Sequence, residues 1–318
     1  MPNIAKQLPI TCSGHTRPVT DLVFSKAHLL SACKDKNPIL RRADTGDLVG
    51  TLEGHKGAVF GVSLNSSSKL AATGAADFSA KIWDTGTGLE KYSFEHTHVV
   101  KSVAFSKDSK KLLTGSNEKL LKVFDIQQPS NEIIELYSGH AGYIKRAFFC
   151  REDKCIISCA EGDKRLKIWD RSCGKVIHSI EFFTYPCSIE ISNDGKILTT
   201  TYGSTVSLYE IDKMTKIRDI EIPCKLECAS LHPEKCLFVC GGEDFKAYKF
   251  DFQRGSELES HKGHFGPIHC ISFSKDGELF ASGSEDGTLR LWQTVPGKTY
   301  GSWKFVDGEL KNKKILYL

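Results

Sequence analysis

A pattern that returns along the whole chain decides what these 318 residues can fold into. Gly-His pairs stand at Gly14-His15, Gly54-His55, Gly139-His140 and Gly263-His264, with a lone His96 in the same series. A second marker, an aromatic residue followed by a polar one, falls at Trp83-Asp84, Phe124-Asp125, Trp169-Asp170, Tyr209-Glu210, Phe250-Asp251 and Trp292-Gln293. Both series repeat at about 40 to 45 residues, the length of one supersecondary unit that must stack on its neighbours to bury an apolar face. One interval before Trp83 lies Arg41, beside the strand-like Pro38-Ile39-Leu40, so the count is seven units.

Offsets inside the units hold as well. His15, His55, His96, His140 and His264 are each followed four residues later by an apolar anchor: Val19, Val59, Val100, Ile144 and Ile268. An acid stands six residues before the aromatic marker at Asp77, Glu118, Asp163, Asp244 and Asp286. Between the markers run short apolar alternations such as Cys270-Ile271-Ser272-Phe273, broken by Asp-Gly and Lys-Asp turns, with no sustained helical period. This pattern resembles the WD40 family, in which each unit is a four-stranded blade of a β-propeller. The expectation is an all-β, seven-bladed propeller over residues 1–305, followed by a short tail over 306–318.

Burying a His, an acid, a hydroxyl and an indole together is tolerable only if each finds a partner, and a complete set stiffens its blade. Units 2, 4 and 7 carry complete sets: His55, Thr73, Asp77 and Trp83; His140, Ser158, Asp163 and Trp169; His264, Ser282, Asp286 and Trp292. Units 5 and 6 lack the His and unit 1 has Arg41 at the aromatic position, so those blades are expected to be less rigid. The last unit runs out of blade-forming sequence after Trp292, while residues 6–12 have strand character. Pairing that N-terminal strand into blade 7 closes the ring and removes an open edge.

Composition narrows the remaining classes. The 43 Lys+Arg against 39 Asp+Glu leave a net charge of +4, too little to argue for nucleic acid by itself. No apolar run approaches the roughly 20 residues needed to cross a bilayer, so no membrane insertion is expected. The N-terminal residues lack a continuous apolar signal core, and the 12 cysteines sit singly among apolar residues, which reads as a cytoplasmic chain with reduced thiols. Gly297-Lys298-Thr299 has Trp292 where a phosphate-binding loop needs glycine. The pairs Cys155/Cys159, Cys224/Cys228 and Cys236/Cys240 would lie roughly 13 Å apart along a strand, too far to share one zinc. His, Asp and Ser recurring at fixed offsets are not a catalytic triad, since one active site would not be repeated blade after blade. The reading is therefore no enzyme, no cofactor and no metal, with the pair Lys110-Lys111 and the cluster Lys164, Arg165 and Lys167 as solvated faces and RNA contacted only indirectly.

What remains is surface. Residues beside the apolar anchors and the turn acids are expected to share one rim: Lys34, Lys36, Phe60, Phe78, Lys101, Asn117, Tyr143, Lys145, Glu227, Glu243, Phe245, His269 and Glu285. Lysines and aromatics over blades 1 to 4 would face acids over blades 6 and 7, an asymmetry suited to orienting a protein partner.

Several segments are more specific than the generic repeat: SGHTRPV at 13–19, GHKGAV at 54–59, ADFSAKIWD at 76–84, ASLHPEK at 229–235, GGEDFK at 241–246, GHFGPIHC at 263–270 and DGELFASGSEDGTLRLWQT at 276–294, with GKTYGSWK at 297–304. They are similar to a receptor-associated branch of the WD40 family. That resemblance implies a non-catalytic, monomeric scaffold of the cytoplasmic SMN complex, serving small nuclear ribonucleoprotein assembly and splicing, with a nuclear pool. It further implies contact with small Sm-like Gemin subunits, the RNA-binding protein Unr, TGF-β receptors and inhibitory Smads. Members of the branch continue into an acidic tail, whereas this sequence reads KNKKILYL at 311–318. A second resemblance, to the WD40 subunit i of eukaryotic initiation factor three, implies a translation-initiation scaffold of similar length.

Overall fold

The computed structural model describes residues 7–128 and 130–296, together with the backbone of 305–306 and 309–310. Seven four-stranded antiparallel sheets form a propeller, and no helix occurs among the described residues. Blades 1 to 6 take their strands in chain order, beginning with Val19–Phe24, His28–Cys33, Ile39–Arg42 and Leu48–Thr51 for blade 1. Blade 7 consists of Ile268–Phe273, Leu279–Ser284 and Leu289–Gln293, and its outermost strand comes from the other end of the chain. Ile10–Cys12 pairs antiparallel with Leu289–Leu291, in register Ile10 to Leu291 and Cys12 to Leu289. The N-terminal strand thus closes the ring, contributing three residues.

Alternation explains the layers. Inner and middle strands are buried on both faces, as in Leu70–Ala75 and Ile197–Tyr202, because each blade packs against two neighbours. The core is accordingly a set of apolar layers between blades: Trp83 of blade 2 packs with Leu30 and Leu40 of blade 1, and Trp169 of blade 4 with Leu113 and Val123 of blade 3. Close approach fixes the small residues near the axis; a Cβ on Gly61 would lie 2.6 Å from the carbonyl oxygen of Lys101.

Neighbouring blades are stitched near the axis by side chains that accept backbone N–H groups. Asp21 accepts from Val62 (3.0 Å), Ser102 from Ala147 (2.9 Å), Glu190 from Leu231 (2.8 Å) and Ser230 from Phe273 (3.1 Å). The expected 306–318 tail and the 297–304 motif lie outside the described residues, apart from two short paired strands, Phe305–Val306 and Glu309–Leu310.

Candidate protein-docking face

Donor chemistry fixes the direction of the bonds inside the blades. An indole only donates and a carboxylate only accepts, so in blade 2 Trp83 Nε1–H donates to Thr73 Oγ1 (2.8 Å), the hydroxyl to His55 Nε2 (2.6 Å), and His55 Nδ1–H to Asp77 (2.8 Å). Blade 4 repeats the relay through Trp169, Ser158, His140 and Asp163, each contact at 2.8 Å. Blade 7 repeats it through Trp292, Ser282, His264 and Asp286 at 2.9, 2.7 and 3.1 Å. Burial lowers the pKa of His140 and His264, keeping them neutral, as this tautomer requires. Burial also works against the Asp286 carboxylate, but the N–H groups of Phe265 and Thr288, the Thr288 hydroxyl and His264 outweigh it and hold the group at about 2.

The other blades depart from this relay in distinct ways. Blade 1 keeps His15 bonded to Ser31 (2.8 Å) and Asp35 (3.0 Å), while Arg41 replaces the indole and donates to the carbonyls of Ser13 and Gly46. In blade 3 the longer Glu118 leaves His96 Nδ1 at 3.5 Å, and neither ring nitrogen of that buried histidine is hydrogen-bonded. Lys122 takes Glu118 instead, at 2.5 Å. Blade 6 substitutes Tyr248, whose hydroxyl donates to Asp244 at 2.5 Å, and blade 5 joins Ser207 to Tyr202 and Asp219.

These relays anchor the loops at one end of the propeller, because the Gly-His loops and the turns carrying the acids emerge on the same face. A residue of this turn has positive φ in every blade: the one after the acid at Lys36 (77°), Phe78 (66°), Lys119 (66°), Phe245 (67°) and Gly287 (75°), Gly162 (81°) just before Asp163 in blade 4, and Gly203 (55°) after Tyr202 in blade 5. Glycine is the unstrained choice there, and a bulky side chain in that region is an outlier. Phe78 and Phe245 nonetheless occupy it with their rings exposed, at 44% and 41%. Phe78 leans on His98 (5.7 Å between centroids) and His98 on Tyr143 (6.2 Å), making an aromatic arc over blades 2 to 4.

The sequence did not single out Phe183, Tyr185 or Phe265, which with His98 extend the aromatic character of this face. Phe183 is 92% exposed and Phe265 84%. Phe265 directly follows His264, and that adjacency was the available signal; nothing in the local pattern marks Phe183.

Charge on the rim is interlocked. Lys34 lies 3.9 Å from Glu285, which also meets His269 at 2.6 Å; Lys101 pairs with Glu161 at 2.9 Å, and Lys145 with Glu227 at 3.5 Å. Glu243 pairs with Lys225 instead. The basic and acidic sectors therefore meet in ion pairs rather than standing apart. Phe60, Lys34, Lys101, Lys145, Glu227 and His269 surround a central cavity of about 510 Å3, whereas Lys36, Phe78 and Phe245 sit at the strained turn positions and Asn117 is half-buried at its turn. Deeper in the channel Arg146 grips Asp21 through two bonds of 2.5 and 2.7 Å. Both Glu190 oxygens accept from blade 6, one from the Ser230 hydroxyl and one from the Leu231 N–H, and burial outweighs these bonds to push the carboxyl up to about 7.

Fold and relays define a seven-bladed WD40 propeller, and the family model described as WD domain, G-beta repeat matches residues 46–84, 88–125, 131–170 and 255–293. The serine-threonine kinase receptor-associated protein of Homo sapiens is 52% identical over 98% of this chain and 91% of its own length. The protein of the same name from Dictyostelium discoideum is 40% identical over 90% of this chain and 98% of its own. The chain belongs to the serine-threonine kinase receptor-associated protein family of WD40 propellers. A more distant relative, eukaryotic translation initiation factor 3 subunit I of Kluyveromyces lactis, is 29% identical over 93% of this chain and 94% of its own length.

Proposed function

We propose that the chain is a non-catalytic adaptor that holds protein subunits during ribonucleoprotein assembly, as a component of an SMN-type complex acting in the cytoplasm with a nuclear pool. The observation that carries an adaptor role is the face described above, where bulky aromatic side chains are displayed on turn positions that favour glycine. Backbone strain of this kind persists where the displayed side chain has a task, and exposed aromatics are the residues that dominate protein interfaces. Membership of a family named for receptor association supports a second role beside receptor serine-threonine kinases, through the same face.

Co-purification tests the first role. A tagged chain in native cytosolic extract is expected to recover SMN and Gemin proteins, and recovery should fall for the Lys101→Ala/Tyr143→Ala/Lys145→Ala variant. Repeated failure to recover them from the wild-type chain refutes the assembly role, and recovery untouched by the triple variant moves the docking site off this face. The 29% identity to an initiation-factor subunit favours a second reading, a translation-initiation scaffold. Co-sedimentation with 40S ribosomal subunits in place of SMN proteins would select it.

A further inference from the structure

The outermost strand of each blade is hydrogen-bonded on one side only, so its other edge presents unpaired N–H and C=O groups. Blades 2, 5 and 6 guard that edge with charge: Glu90, Lys91 and Glu95; Lys216, Arg218, Asp219 and Glu221; Glu257, Glu259 and Lys262. Blade 3 does not. Its edge strand Ile133–Ser138 exposes Ile133, Ile134 and Leu136, at 39%, 44% and 55%. The adjacent edge of blade 4, Val176–Glu181, adds exposed Val176 and Ile177.

A groove of about 610 Å3 runs between these two edges on the face opposite the aromatic rim, with Lys111, Arg151, Lys154 and Arg171 in its walls against Glu135 and Asp170. Glu135 is already neutralised: Arg171 Nε donates to it at 2.8 Å, Lys111 at 3.2 Å and the Tyr137 hydroxyl at 2.6 Å. Arg171 also lies over the Phe149 ring, 5.0 Å from its centroid. Lys154 is exposed, and no side-chain partner is found for it among the described residues. The groove therefore offers positive charge to an incoming group.

Lys154 follows an unusual turn. Arg151, Glu152 and Asp153 have φ of 51°, 54° and 62° in succession, a run that L-residues avoid at a cost of roughly 1–2 kcal/mol each. Bonds to both neighbouring blades hold it. Asp153 accepts the Lys107 N–H at 2.7 Å, and Arg151 donates to the carbonyls of Ile211 and Asp212 at 2.7 and 2.8 Å. A strained, braced turn beside an unguarded edge is a place to look for function.

We propose that the blade 3 edge accepts a fifth strand from a partner protein, an extended segment in which apolar and acidic side chains alternate. Main-chain bonds to Ile133–Ser138 would supply affinity and the alternating side chains specificity. Alternation follows from the strand itself: Glu135 and Tyr137 turn toward blade 4, where they meet Arg171 and Trp169, while Leu136 turns away. Every second residue of an added strand would therefore face the cationic groove and its neighbours the apolar side. The chain's own 311–318 segment carries Lys311, Lys313 and Lys314, and a second copy would bring a second cationic groove, so charge disfavours both as occupants. Because this edge and the aromatic rim are on different faces, the scaffold would hold two partners at once.

A phage library of random twelve-residue peptides, selected on the full chain and counter-selected on the Leu136→Glu/Lys154→Glu variant, tests this. Surviving peptides are expected to alternate apolar residues with Asp or Glu, to bind the wild-type chain at least about tenfold more tightly than the Lys154→Glu single variant, and to slow hydrogen exchange at the amides of Ile133–Ser138. Both altered side chains are exposed, and an unchanged melt verifies that the variants fold. The proposal is overturned if nothing survives counter-selection, if survivors are basic or lack the alternation, or if they protect another surface. A dimer abolished by the same substitutions, or displacement of the survivors by the synthetic peptide KNKKILYL, would overturn it by giving the edge to a second copy or to the chain itself.

Discussion

Replacing Phe78 and Phe245 together separates the cost of their backbone conformation from the use of their rings. Both have φ near +66°, at 66° and 67°, where an L-residue carries roughly 1–2 kcal/mol of strain that glycine escapes. Glycine gives back about 0.5–1 kcal/mol through the extra freedom of its unfolded chain. Alanine retains the strain but, like glycine, lacks the ring, so the Gly/Ala comparison cancels the ring contacts. The net advantage of glycine over alanine is about 0.5–1 kcal/mol per site. The sites stand on blades 2 and 6, far enough apart to add, giving about 1–2 kcal/mol for the pair. With an unfolding entropy of about 2 cal/mol/K per residue, that difference corresponds to about 2 °C in Tm for a chain of this length. Differential scanning calorimetry should therefore place Phe78→Gly/Phe245→Gly above Phe78→Ala/Phe245→Ala, while both variants lose partner recovery in the co-purification assay. A glycine variant that melts at or below the alanine variant would refute the strain argument. Full partner recovery by both would show that the strain is held for some other reason.

Deleting residues 1–12 removes the strand that closes blade 7, including the ladder from Ile10–Cys12 to Leu289–Leu291 and the buried Cys12. At about 1 kcal/mol per lost backbone bond, plus the exposed apolar edge, a fall of about 5 °C in Tm with concentration-dependent aggregation is expected; an unchanged melt would show that three strands suffice in that blade. Acid should weaken the fold in two stages, read as the urea midpoint between pH 8 and pH 2. Burial, then Lys122, depress His96 to about 4 against the pull of Glu118, so its contribution is complete above the unfolded value near 6.5 and is lost as the pH falls toward 4. Asp286, held at about 2, contributes fully above its ordinary 3.8 and loses that contribution as the pH falls toward 2; a midpoint constant from pH 7 to pH 4 would contradict a buried neutral His96.

The relays were legible because evolution of a repeat leaves fixed offsets: the acid six residues before each aromatic marker led directly to Asp77, Asp163 and Asp286. Even Asp35 obeys that offset ahead of Arg41, so blade 1 retains a three-membered relay although its marker is not aromatic. The networks of blades 5 and 6 were not legible, since Tyr202 and Tyr248 do the work of an absent histidine from different strand positions. Contacts that close around the axis escape local pattern altogether. Asp21 and Arg146 are 125 residues apart, and only the ring geometry shows that they meet. The same holds for the rim, where sequence supplied the sign of each charge and the structure supplied its partner. Nor does the run Arg151-Glu152-Asp153 differ from any polar turn until its three φ angles are seen.

Blade 3 shows how loss of a relay and gain of a surface belong together. Glu118 in place of Asp breaks the bond to His96, and the neighbouring Lys122 captures the carboxylate. Where blades 2, 4 and 7 are tied internally by a complete relay, blade 3 is tied to its neighbour: Arg171 of blade 4 bonds Glu135 and Tyr137 packs against Trp169. Its outer strand is thus fixed on the side facing blade 4 and left apolar elsewhere. Charging that strand, as blades 2, 5 and 6 do, would cost the fold little, because Ile134 and Leu136 are exposed and surface substitutions of this kind usually change stability by less than about 0.5 kcal/mol. Stability alone therefore does not account for an unguarded apolar edge, whereas a strand-pairing partner does.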